Sequence, residues 1–282
     1  MHSIKQIGKR FWYSTPISDT DRPVLGMVVG SGKALMIDAG NSESHANYFF
    51  KELQERGVPH PDIVILTHWH WDHIFGLPAL GETLIVSSRE TKEEMVKLQP
   101  LSWTDEAIDE RVHKGIEIEF CAAAIKKEYL DERNISIVLP DVLFEERLEM
   151  NLGDVTCIIE KVGGSHASDS VVVYVKEEKI LFLGDAIYCR MYAEKWHYKI
   201  DETLQLLDKL EAFDAETYIL SHTGVLSKEE FQQETLMLRT IAHLTERYNG
   251  EKEKIVKKYK EQLQREVSEG EMDTIEQFVN GY

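Results

Sequence analysis

Short apolar runs separated by polar turns occupy much of the first third of the chain and predict β-strands. Residues 10–14, 24–29 and 35–37 have this character, and Gly30-Ser-Gly32 supplies the turn between the last two. Residues 42–57 differ, because their apolar side chains recur at helical spacing. The pattern therefore predicts a group of strands that leads into a helix.

The same strand pattern returns further along the chain. Residues 62–66 and 84–87 are predicted strands. Residues 171–175 and 179–183 are predicted to pair as a hairpin, with the polar segment Lys176-Glu-Glu-Lys179 at its turn.

Two longer segments have helical character. Residues 103–133 combine high helix propensity with a capping box formed by Ser102 and Asp105. We expect this segment either to cover a pocket or to pack on the outer layer of the fold. Residues 227–282 are also helical, and a capping box that begins at Ser227 would start their first helix. These C-terminal helices would pack on the core or on a second subunit, so a homodimer is one of the expected states.

The most unusual stretch is residues 67–73, which read Thr-His-Trp-His-Trp-Asp-His and directly follow a predicted strand. Imidazoles and carboxylates are costly to bury without partners, but they are side chains that bind metal ions. His68 and His70 are two positions apart, so in extended chain they point to the same side. Asp72 and His73 follow as the chain turns and can face a second position close by. The segment therefore predicts a metal site at the end of a strand.

Four further ligand-type residues stand where an apolar run gives way to a loop. Asp38 and Asp185 each close such a run, His166 follows a pair of glycines, and His222 follows a serine. They supply the additional ligands that the turn at residues 67–73 would need.

These motifs and their order resemble the metallo-β-lactamase superfamily: a strand-end Asp, His-x-His-x-Asp-His, a lone His after glycines, Gly-Asp and a final Ser-His. The resemblance implies an α+β fold, a four-layer αββα sandwich in which two sheets pack face to face with helices outside, followed by extra C-terminal helices. It also divides the chain into a metallo-β-lactamase-like domain at residues 1–226 and a C-terminal helical extension at residues 227–282 that packs on it.

The resemblance further implies a dinuclear metal site. Its ligands would be His68, His70, Asp72, His73, His166, Asp185 and His222. The histidines at 68, 70 and 166 would form a nitrogen-only site with an open position for water, and Asp185 would bridge to the second metal. Two zinc ions per chain are expected, although the same ligand types accept iron or manganese.

Such a pair of metals implies hydrolysis by a metal-activated water. Two cations that share a water lower its pKa and give hydroxide at neutral pH, so no serine or cysteine nucleophile is required. The catalytic candidates are Asp72, which could accept a proton or orient the nucleophile, and Tyr188. Acyl-homoserine lactonases of the superfamily carry a tyrosine at this spacing that helps to bind the substrate carbonyl; the alternative is that Tyr188 only packs. Asp38 is expected to fix a histidine tautomer, and Asp169 either to act in the same way or to close a turn.

We therefore expect a hydrolase that cleaves a small carbonyl ester, of the lactone or thioester type. A phosphodiesterase is one alternative, because the same pair of metals suits attack on phosphorus. An iron-dependent oxidoreductase of the sulfur dioxygenase type is another, since these ligands do not exclude iron.

The composition of the chain limits the kinds of partner that we expect. The net charge is −18, from 50 acidic and 32 basic residues, which argues against a nucleic-acid partner. No run approaches the ~18 apolar residues of a membrane span, and the N-terminus lacks the apolar region of a signal peptide. The three cysteines are scattered and do not suggest a disulfide framework. We expect a cytoplasmic enzyme with a small-molecule substrate and no membrane partner.

Overall fold

A computed structural model describes residues 2–130 and 133–282, and within them the strands form a seven-stranded and a six-stranded sheet. The larger sheet follows chain order: β1 (Ile4–Ile7), β2 (Phe11–Ser14), β3 (Gly26–Val29), β4 (Ala34–Ile37), β5 (Ile63–Ile65), β6 (Leu84–Ser88) and β7 (Val142–Phe144). Neighbours from β1 to β4 are antiparallel, whereas β4 to β7 are parallel. The parallel strands therefore all end at one edge.

The smaller sheet contains the strands of the second half of the chain. They are β8 (Arg147–Asn151), β9 (Thr156–Lys161), β10 (Val171–Val175), β11 (Ile180–Gly184), β12 (Thr217–Leu220) and β13 (Gly224–Ser227), in the order β13-β12-β11-β10-β9-β8. Strands β10 and β11 form the predicted hairpin. Strands β11 and β12 are parallel, so the residues that follow them emerge at the same edge.

Apolar side chains from both sheets meet in a layer between them. Along β4, Leu35 and Ile37 face this layer, and Met36 faces the outer side. Along β10, Val173 faces the layer, and Val172 faces the helices outside. This alternation is the two-residue period of a strand, and both faces are apolar because both are covered.

Helices cover the outer face of each sheet. The larger sheet carries α1 (Glu43–Glu55) and α3 (Arg89–Leu98), and the smaller sheet carries α6 (Ile200–Glu211) and α7 (Lys228–Arg247). A single helical turn, α2 (Trp71–Ile74), lies inside the ligand-rich segment. The prediction of an αββα sandwich with additional C-terminal helices is confirmed.

The segment predicted to be helical, residues 103–133, contains two helices, α4 (Asp105–His113) and α5 (Glu119–Tyr129). Gly115, with φ of 67°, separates them because it ends α4 in the left-handed conformation that glycine adopts without strain. Residues 131 and 132 of the predicted helix lie outside the described residues.

The start of α4 also differs from the prediction. Ser102 and Asp105 do not form a capping box; Thr104 caps the helix, and its hydroxyl oxygen accepts a hydrogen bond from a first-turn amide at 3.3 Å. Trp103 is buried against Phe75, with ring centroids 4.8 Å apart. This contact fixes where the chain enters the helix and moves the cap next to the tryptophan.

Helix α7 and the two helices after it, α8 (Lys252–Leu263) and α9 (Glu269–Gly281), share a buried apolar cluster. The predicted capping box of Ser227 and Glu230 starts α7. Phe278 of α9 stacks on Tyr198, with ring centroids 4.7 Å apart, and so ties this layer to the rest of the fold. Within the described part of the chain, no helix is both long and apolar enough to cross a membrane.

Candidate metal centre

The predicted ligand residues lie in loops at one edge of the sandwich. Asp38 follows β4 and residues 67–73 follow β5, where these parallel strands end. In the smaller sheet, His166 lies between β9 and β10, and Asp185 and His222 follow the parallel strands β11 and β12. Loops at the carboxyl ends of parallel strands commonly form ligand sites.

The two sheets are fastened to each other beside these loops. The amide of Val171 donates a hydrogen bond to the carbonyl of Thr67 at 2.8 Å. Gly184 has a φ of 56°, and a Cβ at this position would lie 3.0 Å from the Cβ of Thr67. A side chain at Gly184 would therefore be strained in its backbone and would push the two sheets apart next to Asp185.

A first group consists of histidines alone. The ligand atoms of His68, His70 and His166 all lie within 4.8 Å of one another. Nδ1 of His70 is 3.0 Å from Nε2 of His68 and 3.0 Å from Nε2 of His166. All three side chains are buried, and their nitrogens converge on one point, as the ligands of a single cation would.

A second group contains two carboxylates. The ligand atoms of Asp72, His73, Asp185 and His222 also lie within 4.8 Å of one another. Oδ2 of Asp185 is 3.4 Å from Nε2 of His73 and 3.3 Å from Nε2 of His222. The same oxygen is 3.9 Å from Nε2 of His68 in the first group. Asp185 thus stands between the two groups.

The chemistry of these side chains fits a pair of metal ions. Oδ1 of Asp185 is buried and makes no hydrogen bond within the described residues, and Oδ2 of Asp72 and Nε2 of His73 lie 3.1 Å apart without hydrogen-bond geometry. Buried polar atoms without partners are costly, and a cation held among them would remove that cost. Imidazole and carboxylate are ligands that zinc, iron and manganese accept.

Asp38 holds the turn between the two groups. Its carboxylate accepts hydrogen bonds from the Thr67 amide at 2.7 Å and from the Thr67 hydroxyl at 2.9 Å. Its Oδ2 is also 2.8 Å from Nδ1 of His73, which leaves Nε2 of that ring facing the second group. Asp38 therefore makes the contact with a histidine that its predicted role requires, and the role itself stays a prediction.

Asp21 has the same relation to the other histidine of the second group, and it was not among the predicted site residues. Its Oδ1 lies 3.3 Å from Nδ1 of His222. Burial, followed by the charge of Asp72, raises the pKa of Asp21 to about 7. The surrounding Ser-Asp-Thr-Asp-Arg-Pro segment has only the composition of a surface turn, so no sequence signal marked this carboxylate as part of the centre.

Asp169 supports the ligand-rich turn from the opposite sheet. Its Oδ2 accepts a hydrogen bond from the amide of Trp69, which stands between two ligand histidines, at 3.0 Å. Burial raises the pKa of Asp169 to about 7. This residue therefore does more than close the turn after His166.

Electrostatics separate the two groups of ligands. Burial lowers the pKa of His68, His70 and His166, and the nearby charge of Asp185 does not outweigh it. Burial acts in the same direction on His73 and His222, but neighbouring carboxylates outweigh it and raise the pKa of both rings well above the ordinary value. The first group is therefore neutral and the second carries protons when no metal neutralises the carboxylates.

A cavity of about 310 Å³ opens onto both groups. Its lining includes Ile118, Phe120 and Cys121 from the start of α5. The helical segment after residue 103 thus contributes to the pocket, which was one of its two expected positions. Tyr192 also lines the cavity, and its ring centroid is 5.0 Å from that of His70.

Tyr188 lies in the cavity wall between the two groups. Its ring centroid is 6.2 Å from the ring centroid of His166 and 6.1 Å from that of His222. Its hydroxyl is 3.2 Å from the hydroxyl of Thr223, another lining residue. Burial raises the pKa of Tyr188, so the phenol remains protonated and able to donate a hydrogen bond.

The family model that matches this chain is that of the metallo-β-lactamase superfamily, over residues 19–222. The match covers well over half of the chain and includes every predicted ligand. The chain belongs to the metallo-β-lactamase superfamily.

Named relatives match in part. Acyl-coenzyme A thioesterase MBLAC2 of Gallus gallus is 26% identical over 191 residues, which is 63% of this chain and 62% of that protein. Its Homo sapiens counterpart is 23% identical over 188 residues, 63% of each. Ribonuclease Z of Clostridium tetani is 34% identical over 70 residues, 25% of this chain and 20% of the relative. The chain spans less than two thirds of the length of each.

Solved structures share the fold. A metallo-β-lactamase from Pontibacter korlensis superposes with a TM-score of 0.60 at 18% identity, over 84% of this chain and 98% of the other. The sec-alkylsulfatase Pisa1 from Pseudomonas sp. superposes with a TM-score of 0.67 at 14% identity, over 97% of this chain and 46% of the other.

Proposed function

We propose that this protein is a hydrolase with two zinc ions that cleaves a small carbonyl ester of the thioester or lactone type. The observation that carries the proposal is the position of Asp185, whose Oδ2 lies within 3.9 Å of ring nitrogens from both ligand groups. Such a carboxylate is suited to hold two cations close together. The family membership supports the same conclusion.

The seven predicted ligands have distinct roles in this proposal. His68, His70 and His166 would hold one ion, Asp72, His73 and His222 would hold the other, and Asp185, which lies between the two groups, would serve both. Zinc bound there would supply Lewis-acid activation of a water molecule and of the scissile carbonyl.

The side chains around the metals position the reactants. Oδ2 of Asp72, 3.3 Å from Nε2 of His222, is placed to orient the nucleophile and to accept its proton. The hydroxyl of Tyr188 donates to the substrate carbonyl, and Thr223 holds that hydroxyl in place. Both carboxylate and phenol line the cavity.

The relatives favour a carbonyl substrate. Two of them are thioesterases and match across 63% of this chain, whereas ribonuclease Z matches across 25%. A phosphodiesterase remains the second candidate because of the ribonuclease Z match, and it makes the opposite prediction for a substrate panel.

The panel measures hydrolysis of a thioester, a γ-lactone and a chromogenic phosphodiester. The protein is first treated with chelator and then reloaded with zinc, iron or manganese. We expect thioester or lactone hydrolysis to be lost with the metal and restored best by zinc. Faster phosphodiester cleavage would contradict the proposed substrate class, and restoration by iron alone would favour the oxidoreductase alternative.

We also propose that residues 1–226 form the hydrolase domain and that residues 227–282 are an extension packed on it. Supporting this division, the family match ends at residue 222, and α7 starts at an independent capping box.

A further inference from the structure

The cavity above the metal centre combines an apolar wall with an absence of cationic side chains. Ile118, Phe120 and Met191 belong to that wall, and Phe120 is 46% exposed at the rim. Among the described residues that line the cavity there is no lysine or arginine. The charged side chains that do line it, apart from histidines, are carboxylates.

Two cations close to the cavity, Arg22 and Lys127, are paired with carboxylates. Arg22 contacts Glu128 at 2.6 Å, and Glu128 is almost fully buried. Lys127, two turns after Phe120 on the same side of α5, contacts Asp19 in the turn next to the cavity. These lysine and arginine charges are therefore not free to bind an anionic substrate without breaking an ion pair.

The net charge of the whole chain also disfavours an anionic substrate. A net charge of −18 stays strongly negative even when two divalent cations are bound. A substrate that carries several phosphates outside the cavity would meet this negative surface, and like charges slow association. Apolar chains, in contrast, gain free energy by covering the exposed ring of Phe120.

From these observations we propose that the site selects an ester or thioester with an apolar acyl chain and a leaving group without phosphates. This inference rests on the proposed function and narrows it. It separates the chain from the acyl-coenzyme A thioesterases to which it is similar, because coenzyme A carries several phosphate charges.

The test compares three octanoyl thioesters on the zinc-loaded protein, made with pantetheine, 4′-phosphopantetheine and coenzyme A. All three share the acyl chain, the thioester bond and the pantetheine arm, and differ in phosphate charge and nucleotide. We expect kcat/KM to be highest for pantetheine and to fall by about tenfold or more to coenzyme A at low ionic strength. Added salt should narrow the difference by screening the repulsion.

Equal or higher kcat/KM for the coenzyme A thioester, or a rate for it that falls with salt, would overturn the inference and leave the proposed function intact. Failure to hydrolyse any thioester or a γ-lactone with the same alkyl chain would overturn both. The two failures are therefore distinguishable.

A pair of matched variants tests the role of the paired cation. Asp19→Asn removes the carboxylate partner of Lys127 next to the cavity, whereas Asp214→Asn removes one of two carboxylate partners of Lys179, in the turn between β10 and β11. Both variants change the net charge by one. We expect only Asp19→Asn to raise kcat/KM for octanoyl-coenzyme A several-fold, with the pantetheine thioester unchanged. Equal effects of the two variants would contradict a local role of charge.

A second pair tests the acyl side. Phe120→Ala removes the exposed ring at the rim, and Leu236→Ala removes an exposed leucine on α7 that does not line the cavity. We expect Phe120→Ala to lower kcat/KM for octanoyl substrates by about tenfold, since a large apolar contact is lost, and to leave acetyl substrates unchanged. A uniform loss for both chain lengths would show that Phe120 does not bind the chain.

Discussion

The two ligand groups differ most in what stands behind their histidines. In the first group, Nδ1 of His68 is 3.0 Å from the Thr67 hydroxyl, and Nδ1 of His166 is 3.1 Å from a backbone carbonyl, both of them neutral partners. In the second group, the partners of His73 and His222 are carboxylates. Neutral partners leave buried rings uncharged, whereas carboxylates favour a proton or a metal ion at the same place.

This difference assigns separate tasks to the two groups. The first is a neutral nitrogen site that requires no displacement of protons before it binds a cation. The second must exchange protons for a metal, and its affinity should therefore depend on pH. Asp185 couples the two, because its Oδ2 faces both.

The largest effect is expected from His68→Ala. Removing one of three ligands from the neutral group should abolish metal binding there and reduce hydrolysis to background while the fold remains intact. Metal content, turnover and circular dichroism together check this outcome. His113→Ala, on the exposed end of α4, is the matched histidine control. Normal turnover in His68→Ala would sink the ligand assignment.

Asp185→Ala should affect the second group most. We expect zinc stoichiometry to fall from two to one per chain, because the second group loses a ligand while three histidines remain in the first. Retention of two tightly held ions in this variant would refute the bridging role.

The metal-free protein should show opposite protonation in the two groups. The raised pKa of His73 and His222 means that their contribution to stability is present below about pH 6.5 and is lost as pH rises through their folded-state pKa. The lowered pKa of His68, His70 and His166 has the opposite effect. These rings are buried in their neutral form, so the folded protein loses stability as the pH falls and the unfolded chain binds protons more readily.

Histidine nitrogen NMR on chelator-treated, isotope-labelled protein measures this directly. At pH 7 we expect imidazolium signals from the second group and neutral-ring signals from the first. Five rings that titrate together near the ordinary histidine pKa would break the comparison.

Asp21→Asn is expected to have a smaller effect. An amide orients His222 less firmly than a carboxylate, so zinc in the second group should bind about 10–100-fold more weakly, with the first group unaffected. Asp214→Asn, also an Asp in an ion pair but far from the centre, is the control. Unchanged affinity for the second zinc would show that the contact between Asp21 and His222 does not support the metal.

Tyr188→Phe should have the smallest effect. Loss of one hydrogen bond to the carbonyl is expected to lower kcat/KM for lactones or thioesters about fivefold, with both metals retained. Equal rates in the variant and the parent would mean that Tyr188 only packs.

Much of the centre was predictable because its ligands are marked locally in the sequence. Residues 67–73 and the strand-end positions of Asp38, Asp185 and His222 carry their own signals, and parallel strands bring such ends together. The contact of Asp38 with a histidine was anticipated on the same grounds.

The parts that were not predicted depend on tertiary contacts or on a misjudged helix end. Asp21 reaches His222 only because the loop before β3 packs on the loop after β12; the amide of Val24 donates to the carbonyl of Ser221 at 2.8 Å. The break between α4 and α5 has a sequence signal at Gly115, which the prediction of a helical segment did not use.

The central claim is that the two groups hold two metal ions in one coupled centre. Its most direct test is the number of zinc ions per chain, measured by plasma mass spectrometry on protein purified without added metal and again after zinc reloading and gel filtration. We predict two per chain after reloading, falling to one in Asp185→Ala. One ion or none in the reloaded parent protein would contradict the claim.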